Sequence, residues 1–313
     1  MIGARRAARA GSRGGLRRRE AIEGFLLVSP WGLGLLLFIV GPLLASAYLS
    51  LAEYSVLRPP RFVGLDNYAK ALFEDPIFWQ AIQRTSLYVV MLVPLGLAAS
   101  LGCALLLNRG VRGTNLFRTL FFLPTLTPIV AGAILWTWIF QPEVGLLNYA
   151  LRAVGIQGPR WLSSYEWALP SLVIIGLWGS VGGSRMIIFL AGLQGVPQEL
   201  FDAAAIDGAN NWQKFRNVTL PMISPTMLFN LVLGIIAAFK VFAVSYVATG
   251  GGPAYSTWFF VYHIYNQAFK YSQMGYASAL AWIFCVVILA FTFLQFRLSN
   301  RWVHYEGERE DRL

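Results

Sequence analysis

Of the residue types that build most catalytic and metal centres, this 313-residue chain has few: two cysteines, two histidines and 13% charged residues. Cys103 and Cys285 each fall inside an apolar run, which excludes a disulfide framework or a cysteine metal site and leaves them as packing residues. His263 and His304 belong to connections expected on opposite sides of a membrane, so they cannot share a metal, and no metal site is expected. The chain has no phosphate loop of the form GxxxxGKS or GxxxxGKT, no GxSxG elbow and no HExxH pair. No catalytic residue is therefore assigned, no cofactor is expected to be bound by this chain, and it is read as a non-enzyme whose energy comes from elsewhere. Asp, Glu and His are also missing from the apolar runs, where ion-coupled carriers place a proton or cation relay. With no inverted repeat visible, this argues against a secondary transporter working alone.

What the chain has in abundance is apolar surface: 57% hydrophobic residues, 15% aromatic residues and a mean hydropathy of +0.56. Several runs exceed the roughly 20 residues needed to cross a hydrocarbon core, which predicts a polytopic membrane protein. Runs of that length lie at 24–50, 85–108, 116–140, 169–193, 222–248 and 275–296. Backbone groups in lipid must be satisfied internally, and none of the runs alternates as a barrel strand does, so the expected fold is all-α with six transmembrane helices. The first run is too long for a signal-peptide core, carries Pro30 and Trp31 and lacks a convincing cleavage site, so it reads as a retained span.

The net charge of +10 is concentrated rather than spread. Arg5, Arg6, Arg9, Arg13, Arg17, Arg18 and Arg19 crowd the residues before the first span, a topology signal rather than a nucleic-acid arm, and no nucleic-acid partner is expected. With the N-terminus cytoplasmic, most of the 25 Lys and Arg fall inside, among them Arg109, Arg112, Arg118, Lys214, Arg216, Arg297, Arg301, Arg309 and Arg312. The expected organisation is a basic cytoplasmic tail over 1–23, a first transmembrane helix over 24–50 and an extracytoplasmic loop over 51–84. A five-helix core over 85–296 with a cytoplasmic loop at 196–221 follows, and a cytoplasmic tail over 297–313 ends the chain. The outer connections 51–84 and 249–274 are rich in Tyr, Phe, Pro and Gly, which suits either interfacial anchoring or a docking surface.

The loop at 196–221 carries the most information. Pro197 suits a first helical position, and Gln198, Glu199 and Asp202 give polar and negative opening turns favoured at a helix N-terminus. A short helix to about Asp207 would place Leu200, Phe201, Ala204 and Ala205 on one stripe, with Glu199 and Asp202 at its edge. The alanines keep that surface shallow, and Gly208 can take the positive φ that stops the helix. Asn210 or Asn211 can cap a second short helix with Trp212, Phe215 and Val218 three residues apart. Leu220, before Pro221, is expected to leave the helical region, with Pro221 opening the fifth span. An amphipathic elbow in the headgroups is the alternative, but its edge carries Glu199, Asp202 and Asp207 where anionic lipid favours Lys and Arg, so a basic protein partner fits better.

The stretch "DAAAIDG" (202–208), nine further residues and "VTLP" (218–221) resemble the EAA motif, Glu-Ala-Ala-x-x-x-Gly then an aliphatic-x-Leu-Pro, of the inner-membrane permeases of binding-protein-dependent ABC importers. Asp202 stands where that family has Glu. The segments "FVGLDNYAKALFEDPIFWQAIQRT", "GLLNYALRAVGI", "ATGGGPAYSTWFFVYHIYNQAF" and "FRLSNRWVHYEGE" look like the carbohydrate branch of the family, the maltose and glycerol 3-phosphate permease type, although that branch usually has Asn where Arg84 stands.

The resemblance implies a type I importer permease fold in a prokaryotic inner membrane and a heteromeric complex. Its other members would be a second homologous permease, a cytoplasmic ABC ATPase dimer that hydrolyses ATP, and an extracytoplasmic solute-binding protein. The substrate would be a mono- or oligosaccharide, with glycerol 3-phosphate or another polyol as the alternative; an assembly protein whose loop merely docks a partner is a third reading. On that resemblance, Glu199, Phe201, Asp202, Ala203, Ala204, Asp207, Gly208 and Pro221 are the residues expected to engage the ATPase.

For the substrate path, aromatic faces combined with amides and other polar groups single out Asn230, Lys240 and Tyr246 of the fifth span and its exit, with contacts to a partner helix as the alternative. Arg185 is expected to snorkel toward the cytoplasmic headgroups rather than to line a path.

Overall fold

The computed structural model describes residues 2–110 and 113–303, with side chains from residue 18 onward. Expectations placed on the charges of Arg5, Arg6, Arg9, Arg13, Arg17, Arg112, Arg309 and Arg312, and on His304, lie outside the described residues and side chains. Among the described residues, three helices are long and apolar enough to cross a bilayer unaided: Arg18–Ser50, Pro76–Asn108 and Met274–Ser299. Three bent helix pairs supply the remaining spans, for a total of up to six.

The first span is continuous with what precedes it. The helix Ile2–Leu35 passes through a π-helical turn, Leu36–Val40, into Gly41–Ser50, so residue 23 marks a change of composition and not of structure. Arg, Ala and Glu are good helix formers, and nothing in that segment interrupts the ladder before Pro30. From residue 18 to Trp31 its side chains are exposed, Phe25 and Leu27 by 78% and 82%, a surface suited to lipid. The span meets the rest of the chain through Gly41–Ser50, which packs on Met274–Ser299.

The second span begins earlier than its apolar run. Asp75 caps the helix Pro76–Asn108 by accepting the Ile77 N–H at 2.8 Å, and Pro76 takes an opening position where its missing N–H costs nothing. At 1.5 Å per residue this helix is about 50 Å long, against a core of about 30 Å, so its first turns project beyond the apolar run. Residues 76–84 are thus helical and not loop. The rest of that connection is a two-stranded antiparallel hairpin, Ala52–Ser55 with Arg58–Phe62, followed by the helical turns Asp66–Ala69 and Lys70–Glu74.

The third to fifth spans, expected as single helices, are broken. Thr114–Leu126 and Ile129–Ile139 meet at 96°, with Thr127 extended before Pro128, which disfavours helix in its predecessor. Ala168–Ser180 and Ser184–Gln194 meet at 53° around Gly182 and Gly183. A Cβ at Gly182 would collide with the Phe121 carbonyl and one at Gly183 with Thr125, so glycine there lets the fourth span touch the break in the third. In the fifth span the bend is 66° and falls between Met222 and Ser224. Leu220 is helical, at φ −61 and ψ −45, because the chain approaches Pro221 through a π-helical turn, Phe215–Thr219, in which the Leu220 N–H bonds to the Phe215 carbonyl. That wider turn carries the helix past Leu220, and the expected break is displaced by three residues' worth of chain to Ile223. The same span ends at Phe239; residues 240–242 are not helical, and Ala243–Ala248 forms a separate helix.

One apolar core joins the second, third, fourth, fifth and last spans. Phe78, Tyr88, Phe140, Leu172, Phe239 and Phe260 are among its fully buried members, with Phe260 stacked on Phe284 of the last helix at 4.6 Å. A second cluster, including Ala104, Met186, Phe189, Leu193 and Ile223, joins the second, fourth and fifth spans next to the 196–221 loop. The connection 249–274 is anchored rather than loose: Thr85 of the second span accepts the Phe260 N–H at 2.9 Å, and His263 is buried.

Candidate functional site

Two surfaces carry the residues singled out by the sequence. The first is the helix Gln198–Ile206. Pro197, at φ −59 and ψ 133, is its N-cap rather than its first residue, and no residue of the helix is buried. Phe201 and Ala204 are half-buried, while Glu199, Asp202, Ala203 and Asp207 are exposed. Gln198 donates to Asp202 at 3.1 Å, one turn apart, and none of the three carboxylates has an ion-pair partner among the described residues. Ile206, which the stripe did not include, is 88% exposed beside them. The helix ends as its composition dictates: Asp207 is the C-cap, Gly208 has φ +76, and the Ala209 N–H returns to the Ala204 carbonyl.

Asn210 then caps the next helix in a reciprocal box. Its side chain accepts the Gln213 N–H at 2.9 Å while the Gln213 side chain accepts the Asn210 N–H at 2.7 Å. Trp212 and Phe215 lie 5.6 Å apart, Trp212 exposed by 66%. From there the helical path runs without a loop through Pro221 to the bend at Ile223. The acidic, shallow face is therefore tied to the fifth span by a four-residue turn, closed by the Gly208 bend and the Asn210 cap, and then by helix.

The second surface is an open cavity of about 570 Å³, within the range of small-molecule sites, formed where the breaks in the third and fourth spans meet the end of the helix Ser224–Phe239 and residues 240–244. Arg185 and Lys240 line it, together with Trp136, Trp178, Thr125 and Phe242. Arg185 does not snorkel. Its guanidinium lies where Cβ atoms would be at Gly96 of the second span, 2.7 Å from Nη1, and at Gly234 of the fifth, 2.9 Å from Nη2. The two glycines open a slot between helices into which the side chain turns inward. Its Nη1 is buried and has no hydrogen-bond partner. The glycine pair before Arg185 was the available signal, since glycine-interrupted apolar segments mark discontinuous helices around binding sites.

Of the expected path residues, Lys240 reaches this cavity, exposed at the end of the helix Ser224–Phe239. Asn230 is buried in the same helix with its amide Nδ2 unpartnered, and does not line the cavity. Tyr246 stands beside it in an aromatic group, its ring stacked on Phe242 at 5.4 Å. Trp136, Trp178 and Tyr88 of the lining carry no sequence signal that separates them from core aromatics. Arg84, the departure from the carbohydrate branch, donates to the Tyr165 hydroxyl and lies over that ring at 5.1 Å, joining the second span to the connection before the fourth.

Residues 92–304 match the family described as binding-protein-dependent transport system inner membrane component. Among curated relatives, the probable ABC transporter permease protein YesP of Bacillus subtilis (strain 168) is 39% identical over 94% of this chain and 95% of its own length. The lactose transport system permease protein LacF of Rhizobium radiobacter is 35% identical over 91% of this chain and 96% of its own. Among solved structures, a chain of a bacterial ABC transporter involved in the import of the acidic polysaccharide alginate superposes with a TM-score of 0.78 at 23% identity, covering 91% of this chain and 99% of that one.

Proposed function

The chain belongs to the inner membrane components of binding-protein-dependent transport systems, and from that membership we propose that it is the permease of an ATP-driven sugar importer in which the helix Gln198–Ile206 receives the ATPase. The fold is that of type I ABC importer permeases, all-α and membrane-spanning. Its relatives are permease proteins, whose ATPase is a separate subunit, so this chain is a transport subunit and not an enzyme.

One observation carries the coupling assignment: an exposed helix with a shallow alanine face and unpaired carboxylates is joined, through the tight turn at Gly208 and the capped helix that starts at Asn211, to a span that borders the cavity. Surface helices that serve only the fold bury an apolar stripe, and this one buries no residue fully, so the exposed face around Glu199, Asp202, Ala203 and Ala205 is left for a partner. The ATPase dimer would seat on it from the cytoplasm, a second homologous permease would complete the path, and an extracytoplasmic solute-binding protein would deliver the sugar. ATP hydrolysis would then move the fifth span as a rigid lever about its 66° bend. The sugar assignment rests on the carbohydrate-like segments of the sequence and on relatives such as the lactose permease.

The experiment is reconstitution of the chain with its partner permease, ATPase and binding protein in proteoliposomes. Labelled sugar loaded on the binding protein should enter only when ATP and this subunit are both present. ATPase activity that rises equally without this chain, or uptake of amino acids in place of sugars, would refute the proposal.

A further inference from the structure

The lining of the cavity is unbalanced in charge. Arg185 and Lys240 both face it, and no Asp or Glu does. Neither cation has an ion-pair partner among the described residues. The guanidinium is half-buried between helices, where an unpaired charge is costly unless an anion meets it. Its position adds to the cost: Arg185 stands in the first turn of the helix Ser184–Gln194, the end at which the helix dipole favours negative charge and opposes positive. Local stability therefore gives no reason for an arginine here. A second donor is also idle, since the indole Nε1 of Trp136, another lining residue, is buried without an acceptor.

We propose that this cavity takes a saccharide bearing a carboxylate, the acid group lying against the Arg185 fork with Lys240 beside it and the sugar faces against Trp136, Trp178 and Phe242. The inference rests on the sugar-import reading and narrows it to acidic sugars. A carboxylate matches the planar guanidinium with two parallel hydrogen bonds and supplies the acceptors that the lining lacks. Aromatic faces then serve the apolar sides of the pyranose rings, and Thr125 serves a hydroxyl. A neutral sugar of the same size would leave the two charges unmet.

The test uses the complete complex in nanodiscs, with tryptophan fluorescence as the readout, because Trp136 and Trp178 line the cavity. The probes are trigalacturonate and its fully methyl-esterified form, equal in length and differing in charge. The acid should bind at least about tenfold more tightly than the ester, and added salt should weaken the acid alone. Arg185→Gln should erase the difference, Arg185→Lys should keep part of it, and Lys240→Gln, at an exposed position, should narrow it. Equal binding of acid and ester, binding of neither, or a preference that survives both Gln variants would overturn the inference. So would loss of the second permease from the Arg185→Gln complex, which would mean that a carboxylate of that subunit meets the guanidinium. Import of a neutral sugar by the unaltered complex would leave the sugar-import reading standing while this inference fell.

Discussion

Tyr276 donates a 2.6 Å hydrogen bond to Asp75, a residue 201 positions earlier in the chain. The same carboxylate accepts the Ile77 N–H, and its Oδ2 lies 2.8 Å from His263 Nε2. Trp258 can only donate, and it does so to His263 Nδ1 at 3.2 Å, so Nε2 is the nitrogen that carries the proton toward Asp75. One side chain, 8% exposed, thereby ties the start of the second span, the 249–274 connection and the start of the last span together. Burial works against the carboxylate's charge, but the hydrogen bonds from His263, Tyr276 and Ile77 outweigh it and hold Asp75 well below the usual carboxylate range.

Asp75→Asn keeps the shape and removes the charge, and should lower stability by about 1 to 3 kcal/mol at neutral pH. Because the folded-state pKa is depressed, the stabilisation is fully present above the ordinary value near 4 and is lost as pH falls below it toward the folded value. Melting of the purified complex should therefore separate wild type from variant most at pH 7, and the gap should close in acid. A gap that is constant down to about pH 3 would contradict this assignment.

Asp202→Lys should release the ATPase from the membrane or leave its hydrolysis unresponsive to loaded binding protein. Removing one partner of a desolvated charge pair costs about 2 to 5 kcal/mol, and the lysine adds repulsion from a basic partner. Asp202→Glu should be tolerated, because the residue is exposed and keeps its charge. Co-purification of the ATPase and sugar uptake are the two measurements, and normal values for the lysine variant would make the stretch an interfacial elbow.

Gly208→Val should uncouple by another route. A Cβ at this position would meet nothing within 4 Å, so the penalty comes from the backbone alone, whose φ of +76 costs an L-residue about 1 to 2 kcal/mol. Gly208→Asn should then be nearly silent, since Asn enters the left-handed region readily. Equal defects in both variants would point to a contact with the partner instead of the bend.

Reporter fusions should place residues 110, 208 and 313 in the cytoplasm and residues 73, 158 and 252 outside, following the distribution of Lys and Arg. An outside signal at 208 would put the helix Gln198–Ile206 out of the reach of any cytoplasmic ATPase and overturn the proposed coupling role.

The sequence alone was enough for whatever depends on local composition. Apolar runs longer than a bilayer core fixed an all-α membrane protein, and glycine, asparagine and proline marked the helix ends at Gly208 and Asn210, because caps are formed by residues adjacent in the chain. Prolines and glycines were equally visible inside the third and fourth spans, but the size of a bend is decided by what the freed segment packs on, as Gly182 does on Phe121. Leu220 shows the reverse case, where a π-helical turn absorbed a proline expected to break the helix. Arg185 and Lys240 lie 55 positions apart and come to one cavity only when three broken spans pack together. Asp75, Tyr276 and His263 are likewise drawn from distant segments. Charge on a single residue is legible in a sequence. Whether it turns to lipid, to a partner or into a shared cavity depends on the neighbouring helices, and only the tertiary structure supplies those.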